Sequence, residues 1–264
     1  MTKRIFYGET QRAYLNFHRV GKMIIDAHTH YMHFSKQDPV SSLLDIESKL
    51  GVSVIFLMPF RALFRKEVIL DNIRILNAAK KYPGKIIPFV TVDPWDGEEA
   101  VRQLKELIAL GAKGLKLHPL TQGLPAHSEI YHPLVEVAEK ENIIVQFHTG
   151  TPVYSQPLQV LELAQTYTKA IFILAHLGLG ILWYDAIRAV KRADNVYVDT
   201  AGQRFIPVIR LAVKELGSER VIYGSDAPFL SPEIELKKIL RSGLPREDID
   251  NILYNNVARL LNLK

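Results

Sequence analysis

Met23-Ile24-Ile25-Asp26-Ala27-His28-Thr29-His30 is an apolar run that ends in polar residues. Alternate side chains of a β-strand point to one face, so His28 and His30 project together, with Asp26 deeper on the same side. Two imidazoles held side by side are half of a transition-metal site, because neutral histidine is the usual nitrogen ligand for zinc, iron and manganese. A His-x-His pair also arises on ordinary strands that bind no ion. Recurrence separates the two readings: His148, His176 and Asp226 each stand at the polar end of a later apolar run.

Outward from this stretch, eight short runs rich in β-branched residues are marked: Met23–Asp26, Ser53–Met58, Ile86–Val92, Gly114–Leu117, Ile143–Phe147, Ala170–Ala175, Val196–Asp199 and Arg220–Tyr223. Near-continuous apolar character in such short runs is the mark of strands buried on both faces. Segments with helical spacing lie between them, at Ser41–Leu50, Val68–Lys81, Gly97–Leu110, Tyr131–Lys140, Leu158–Thr166, Ile181–Lys191 and Phe205–Leu216. Several stop at a glycine, as in Leu50-Gly51, Leu110-Gly111 and Leu216-Gly217, where a left-handed residue closes the last turn. The alternation is that of βα units. No glycine-rich phosphate fingerprint is present, so the rhythm predicts a closed (β/α)8 TIM barrel rather than an open sheet. One barrel is expected over 23–264, closed by helices in Pro245–Lys264, with residues 1–22 as an N-terminal extension outside it.

A chain of 264 residues suits one such barrel, which typically takes about 250. The 33 basic and 28 acidic residues give a formal charge of +5, spread without a long run, which argues against nucleic acid as a partner. Attraction of a small anionic substrate stays open. With no cysteine in the chain, disulfides, thiolate ligands and cysteine nucleophiles are excluded, and a metal must take nitrogen and oxygen ligands. No stretch reads as a signal-peptide core or a membrane helix, so a cytoplasmic protein with no membrane partner is expected.

Barrel enzymes carry their chemistry at the C-terminal ends of the strands, and the polar residues fall there. His28, His30, His148 and Asp226 are the expected ligands of one divalent ion, zinc first, with manganese or iron as options. Three imidazoles and a carboxylate leave room for a water, as in catalytic sites. Taken singly, His148 reads equally as a loop cap and Asp226 as a turn carboxylate. His176 is a candidate second-metal ligand or a polarising group beside the water. Lys116 and His118 end strand 4. In two-metal barrels a lysine there can be carboxylated to bridge the ions, so a second ion stays open. An ion-pair lysine or a substrate-carboxylate anchor is the stronger reading of Lys116. Arg61, Arg65 and Trp95 are weaker substrate-binding candidates on rim loops.

The stretches IIDAHTH, GLKLHP, EIYHPLVEVAEKENIIVQFHTG, IFILAHLG, NVYVDTAG, RVIYGSDAP and ILYNNVARLL together resemble the amidohydrolase superfamily. More narrowly, they resemble its amidohydrolase-related branch, which includes aminocarboxymuconate-semialdehyde-decarboxylase-like proteins. The resemblance implies a metal enzyme in which His28, His30, His148 and Asp226 surround the ion and His176 lies by the bound water. Asp226 would then move the proton. It also implies a metal-activated water acting on a small lactone, ester or amide. Non-oxidative decarboxylation of an unsaturated or aromatic acid is the alternative, and a non-catalytic, metal-stabilised ligand-binding barrel is the alternative of another class. A two-metal nuclease is disfavoured, since that branch carries a glutamate where Gly114-Leu115-Lys116 stands. A homodimer is an expectation from the resemblance alone.

Overall fold

The computed structural model describes residues 23–32, 38–60 and 65–263. The N-terminal extension and Arg61 lie outside the described residues, as does the side chain of Arg65. Eight strands run in chain order: β1 (Ile24–Tyr31), β2 (Val52–Pro59), β3 (Ile86–Val90), β4 (Gly114–Leu117), β5 (Ile144–Phe147), β6 (Ile171–Leu174), β7 (Val196–Asp199) and β8 (Val221–Ile222). Each pairs in parallel with the next. Past the end of β8 the chain returns to β1: the Ala27 N–H donates to the Tyr223 carbonyl at 3.0 Å, the Asp226 N–H to His28 at 2.7 Å and the His30 N–H to Ala227 at 2.7 Å. The fold is a (β/α)8 barrel.

The intervening helices are α1 (Pro39–Lys49), α2 (Arg65–Lys81), α3 (Glu98–Ala109), α4 (His132–Lys140), α5 (Pro157–Thr166), α6 (Trp183–Lys191), α7 (Ile206–Leu216) and α8 (Pro232–Leu240). Proline opens α1, α5 and α8, where its missing N–H costs nothing. Asp38 caps α1 by accepting from the Val40 and Ser41 N–H groups at 3.0 and 3.3 Å. A helical stretch over Arg246–Leu260, widened into a π-turn at Asn251–Asn255, sends Val257 up against the interior strand residues.

Two apolar layers explain the apolar runs. Ile25, Ala27, Phe56, Met58, Phe89, Ile144, Ile173 and Ile222 fill the barrel. The alternate residues, such as Leu115, Leu117, Val145, Phe147, Phe172 and Leu174, pack outward with helix residues. Each large side chain so buried contributes about 1.5–3 kcal/mol. Gly114 is small because a Cβ there would fall 2.2 Å from the Phe89 ring, which stacks on Phe56 at 4.7 Å.

β1 departs from the alternation expected for it. The strand continues through the histidines to Tyr31, and its pairing with β2 shifts register between Asp26 and Thr29. Ala27 packs into the interior cluster, and the next residue, His28, also turns inward to Lys116, so the strand carries a bulge. Bulges re-aim side chains beside active sites. Asp26 therefore does not share the histidines' face. Its Oδ1 accepts the His28 and Ser225 N–H groups, both at 3.0 Å, and holds the bulge.

Behind the bulge, Glu47 of α1 is 1% exposed, and among the described residues neither of its carboxyl oxygens has a hydrogen-bond partner. Burial, with the charge of Asp26 adding, pushes Glu47 up from 4.5 to about 9. The folded chain therefore holds this proton across a window in which the unfolded chain releases it. The stability tied to Glu47 is full below 4.5 and is lost as pH rises towards 9. Glu47→Met is expected to raise stability by about 1–3 kcal/mol in alkaline buffer and by less at acid pH. Melting temperatures at both ends of the window check this; equal gains at both would contradict it.

Candidate metal centre

β1 delivers His28 and His30, fully and 93% buried respectively, since their exposures are 0% and 7%. Asp226 reaches them from the loop after β8. Gly224 permits the approach, because a Cβ there would lie 2.8 Å from the Cβ of His28. Asp226 itself adopts φ +61°, a left-handed conformation that aspartate tolerates better than most residues. His28 Nε2 lies 3.2 Å from His30 Nε2, and His30 Nε2 lies 3.1 Å from Asp226 Oδ1. One ligand atom from each residue lies within 4.8 Å of the other two.

The ring of His28 has a defined orientation. Its Nδ1 faces Asp199 Oδ2 at 2.9 Å; a carboxylate only accepts, so Nδ1 carries the proton and the Nε2 lone pair turns to the centre. Lys116 Nζ donates to that lone pair from 3.1 Å.

Burial, joined by the charge of Lys116, drives the His28 pKa well below 6.5. Burial lowers that of His30 too, against the opposing bond to Asp226. Both rings are therefore neutral near pH 7, as metal ligands must be. Burial alone would raise Asp226, but its bond to His30 and the neighbouring imidazoles outweigh this and hold it below the ordinary carboxylate range. With the rings neutral, the His30 bond is the part that persists. Burial lowers Lys116 to about 8 despite Asp199 and Asp226. Neutral imidazoles beside an ionised carboxylate are a donor set that fits a divalent ion.

His148 stands with a different group. Its Nδ1 meets His176 Nε2 at 3.0 Å, and its Nε2 meets Thr151 Oγ1 at 2.8 Å. His118 lies flat on it, with centroids 3.9 Å apart. His176 Nδ1 donates to the Ala201 carbonyl at 3.1 Å, leaving its Nε2 as an acceptor. His148 must then donate from Nδ1 and accept the Thr151 hydroxyl. The rings of His176 and His28 are 4.8 Å apart, so the two groups adjoin. Burial, with Lys116 adding, lowers His118 to about 3.

Trp95 is tied to the loop after β4 by its indole N–H, which donates to the Gln122 carbonyl at 2.7 Å. Phe60 and Phe229 pair at 4.3 Å, and both rings lie against His30.

Residues 25–263 match the family model described as amidohydrolase. The chain belongs to the amidohydrolase family. No curated protein matches it. Among solved structures, this amidohydrolase is similar to the 5-carboxyvanillate decarboxylase of Sphingomonas paucimobilis, with 15% identity, 92% of this chain and 99% of that one covered, and a TM-score of 0.77. It is also similar to a dihydroxybenzoic acid decarboxylase from Polaromonas with bound manganese, at 15% identity, 92% and 97% coverage and a TM-score of 0.73. A Pseudomonas putida protein assigned as a 2-pyrone-4,6-dicarboxylic acid hydrolase is 20% identical, with 90% and 97% coverage and a TM-score of 0.71. The fold thus serves both decarboxylases and a hydrolase.

Asp199 and Gln146 were not expected from the sequence as site residues. Asp199 Oδ2 accepts from His28 Nδ1 and from Gln146 Nε2, at 2.9 and 2.8 Å, and Oδ1 accepts the backbone N–H groups of His176 and Ala201 at 2.8 and 3.1 Å. The available signal was polarity at an inward strand position. Gln146 lies two residues before His148, and Asp199 ends the run Val196-Tyr197-Val198.

Proposed function

We propose that this amidohydrolase is a metal-dependent hydrolase of a small carbonyl compound, a lactone, ester or amide. The observation that carries the reading is the convergence of His28 Nε2, His30 Nε2 and Asp226 Oδ1 at the C-terminal rim of the barrel. A divalent ion held there supplies Lewis acidity, bringing the pKa of a bound water from 15.7 towards about 7 and polarising a carbonyl. Zinc suits the donors, and manganese or iron are the other options for two imidazoles and a carboxylate. Manganese is present in a dihydroxybenzoic acid decarboxylase of the same fold. His148 is the further ligand expected for the ion of this centre, and a second ion would draw on Lys116, His118 and His176.

Asp226 would take the proton of an attacking water and return it to the leaving group. His118 Nδ1 accepts the Thr121 N–H at 3.4 Å, so its Nε2–H would donate where charge develops on the carbonyl oxygen, while His176 Nε2 orients His148. Lys116, protonated below about 8, gives an anionic substrate a counter-charge.

A second reading, non-oxidative decarboxylation of an aromatic or unsaturated acid, draws support from the Phe60–Phe229 pair against His30. Such a pair offers a face to a flat ring. The decarboxylases of like fold support it equally. A panel of lactones, esters, amides and aromatic acids decides between the two. Acid release without carbon dioxide supports the hydrolase; carbon dioxide release without hydrolysis selects the decarboxylase.

A further inference from the structure

We infer that Asp199 is a positioning residue of the metal centre: its carboxylate fixes His28 as the Nδ1–H tautomer and pins the turn that carries His176. The inference rests on the metal-centre reading above and deepens it. Asp199 is fully buried, and each of its oxygens receives two donors. Oδ2 takes His28 Nδ1 and the Gln146 amide; Oδ1 takes the His176 and Ala201 N–H groups. Four donors aimed at two oxygens leave no place for a proton on the carboxyl and no lone pair well placed for an ion. Asp199 thus acts through its neighbours, although one of its oxygens also lies within 4.8 Å of nitrogens of His28 and His176.

The consequences reach both halves of the site. On β1, the tautomer leaves the His28 Nε2 lone pair facing His30, Lys116 and Asp226. After β6, the chain turns through His176 and Leu177 at φ +70° and +43°. The Oδ1 bond anchors this turn at its first strained residue. Gln146 braces the carboxylate from β5 through its Nε2, and among the described residues its Oε1 has no partner, so the amide can turn over to accept from an asparagine at 199.

Asp199→Asn separates the tautomer from the shape. The asparagine oxygen can still accept the His176 and Ala201 N–H groups, while its NH2 faces His28 Nδ1. His28 then accepts there and carries its proton on Nε2, where Lys116 must turn away or give up a proton to end its donated bond, and the lone pair meant for the ion is occupied. The experiment is 15N NMR of histidine-labelled protein, with His28 assigned by its loss in His28→Gln, alongside zinc and manganese titrations. Expected are an Nδ1–H ring for His28 in the wild type, an Nε2–H ring in Asp199→Asn, and metal affinity weakened about 10–100-fold at unchanged secondary structure. Gln146→Leu, which leaves the His28–Asp199 bond in place, is expected to keep the wild-type tautomer.

An Nε2–H ring in the wild type, or wild-type affinity with an unchanged tautomer in Asp199→Asn, would overturn the inference. If Asp199→Asn does not fold, the wild-type tautomer decides alone. If the wild type takes up no ion, the metal reading fails, and the tautomer still decides whether Asp199 sets the ring.

Discussion

Asp226→Asn is expected to leave the barrel folded and to lower kcat by about 10²–10⁴-fold, the range for loss of a positioned acid–base group. The carboxylate sits 3.1 Å from His30 Nε2 and 3.6 Å from His28 Nε2, the nitrogens that would hold the ion. Asparagine keeps the size and one acceptor oxygen but cannot carry a proton between two sites. The backbone of Asp226 is held by its own N–H to the His28 carbonyl at 2.7 Å, and this bond survives the substitution. Steady-state kinetics on the substrate that turns over, with circular dichroism as the control for folding, measure the effect. An unchanged rate would remove Asp226 from proton transfer.

Lys116→Leu is expected to tighten divalent-ion binding at pH 7 on the order of 10–100-fold. Two unit charges 4 Å apart repel by about 4 kcal/mol at an effective dielectric constant of 20, and Lys116 Nζ is 3.1 Å from the His28 nitrogen that would hold the ion. Burial has lowered this lysine from 10.5 to about 8, so it sheds its charge as pH rises through that value. Wild-type affinity should therefore climb between about pH 7 and 9, and the variant should lose that slope. The folded chain also holds this proton less tightly than the unfolded chain, so the stability cost of the buried charge is relieved as pH rises from about 8 towards 10.5. Isothermal titration at three pH values reads the affinities. Weaker binding in the variant, or the loss of a second equivalent, would instead make Lys116 a ligand or a bridge.

The barrel was legible because burial on both faces writes itself as short apolar runs, and because the helices between them end at glycines. The matching runs Gly114–Leu117 and Val196–Asp199 are strands end to end. β1 is less legible: Asp26, His28 and Thr29 break the apolar pattern, so the apolar run stops at Asp26 although the strand continues to Tyr31. A bulge has no residue signature of its own, which is why strict alternation misplaced Asp26. His28, His30 and Asp226 were legible as a group of donors at strand ends. The pairing of His148 with His176 and Thr151 depends on ring rotation, which no spacing encodes. Asp199 was read only as a strand terminus, because its role comes from four donors supplied by β1, β5 and the loops after β6 and β7.

Metal content of the purified protein, by plasma mass spectrometry on wild type and His28→Ala in parallel, tests the centre most directly. About one equivalent of a divalent ion in the wild type and none in the variant is the expected result. No ion in the wild type, even after incubation with zinc and manganese, would contradict a metal-dependent amidohydrolase and leave a barrel that binds its ligand by other means.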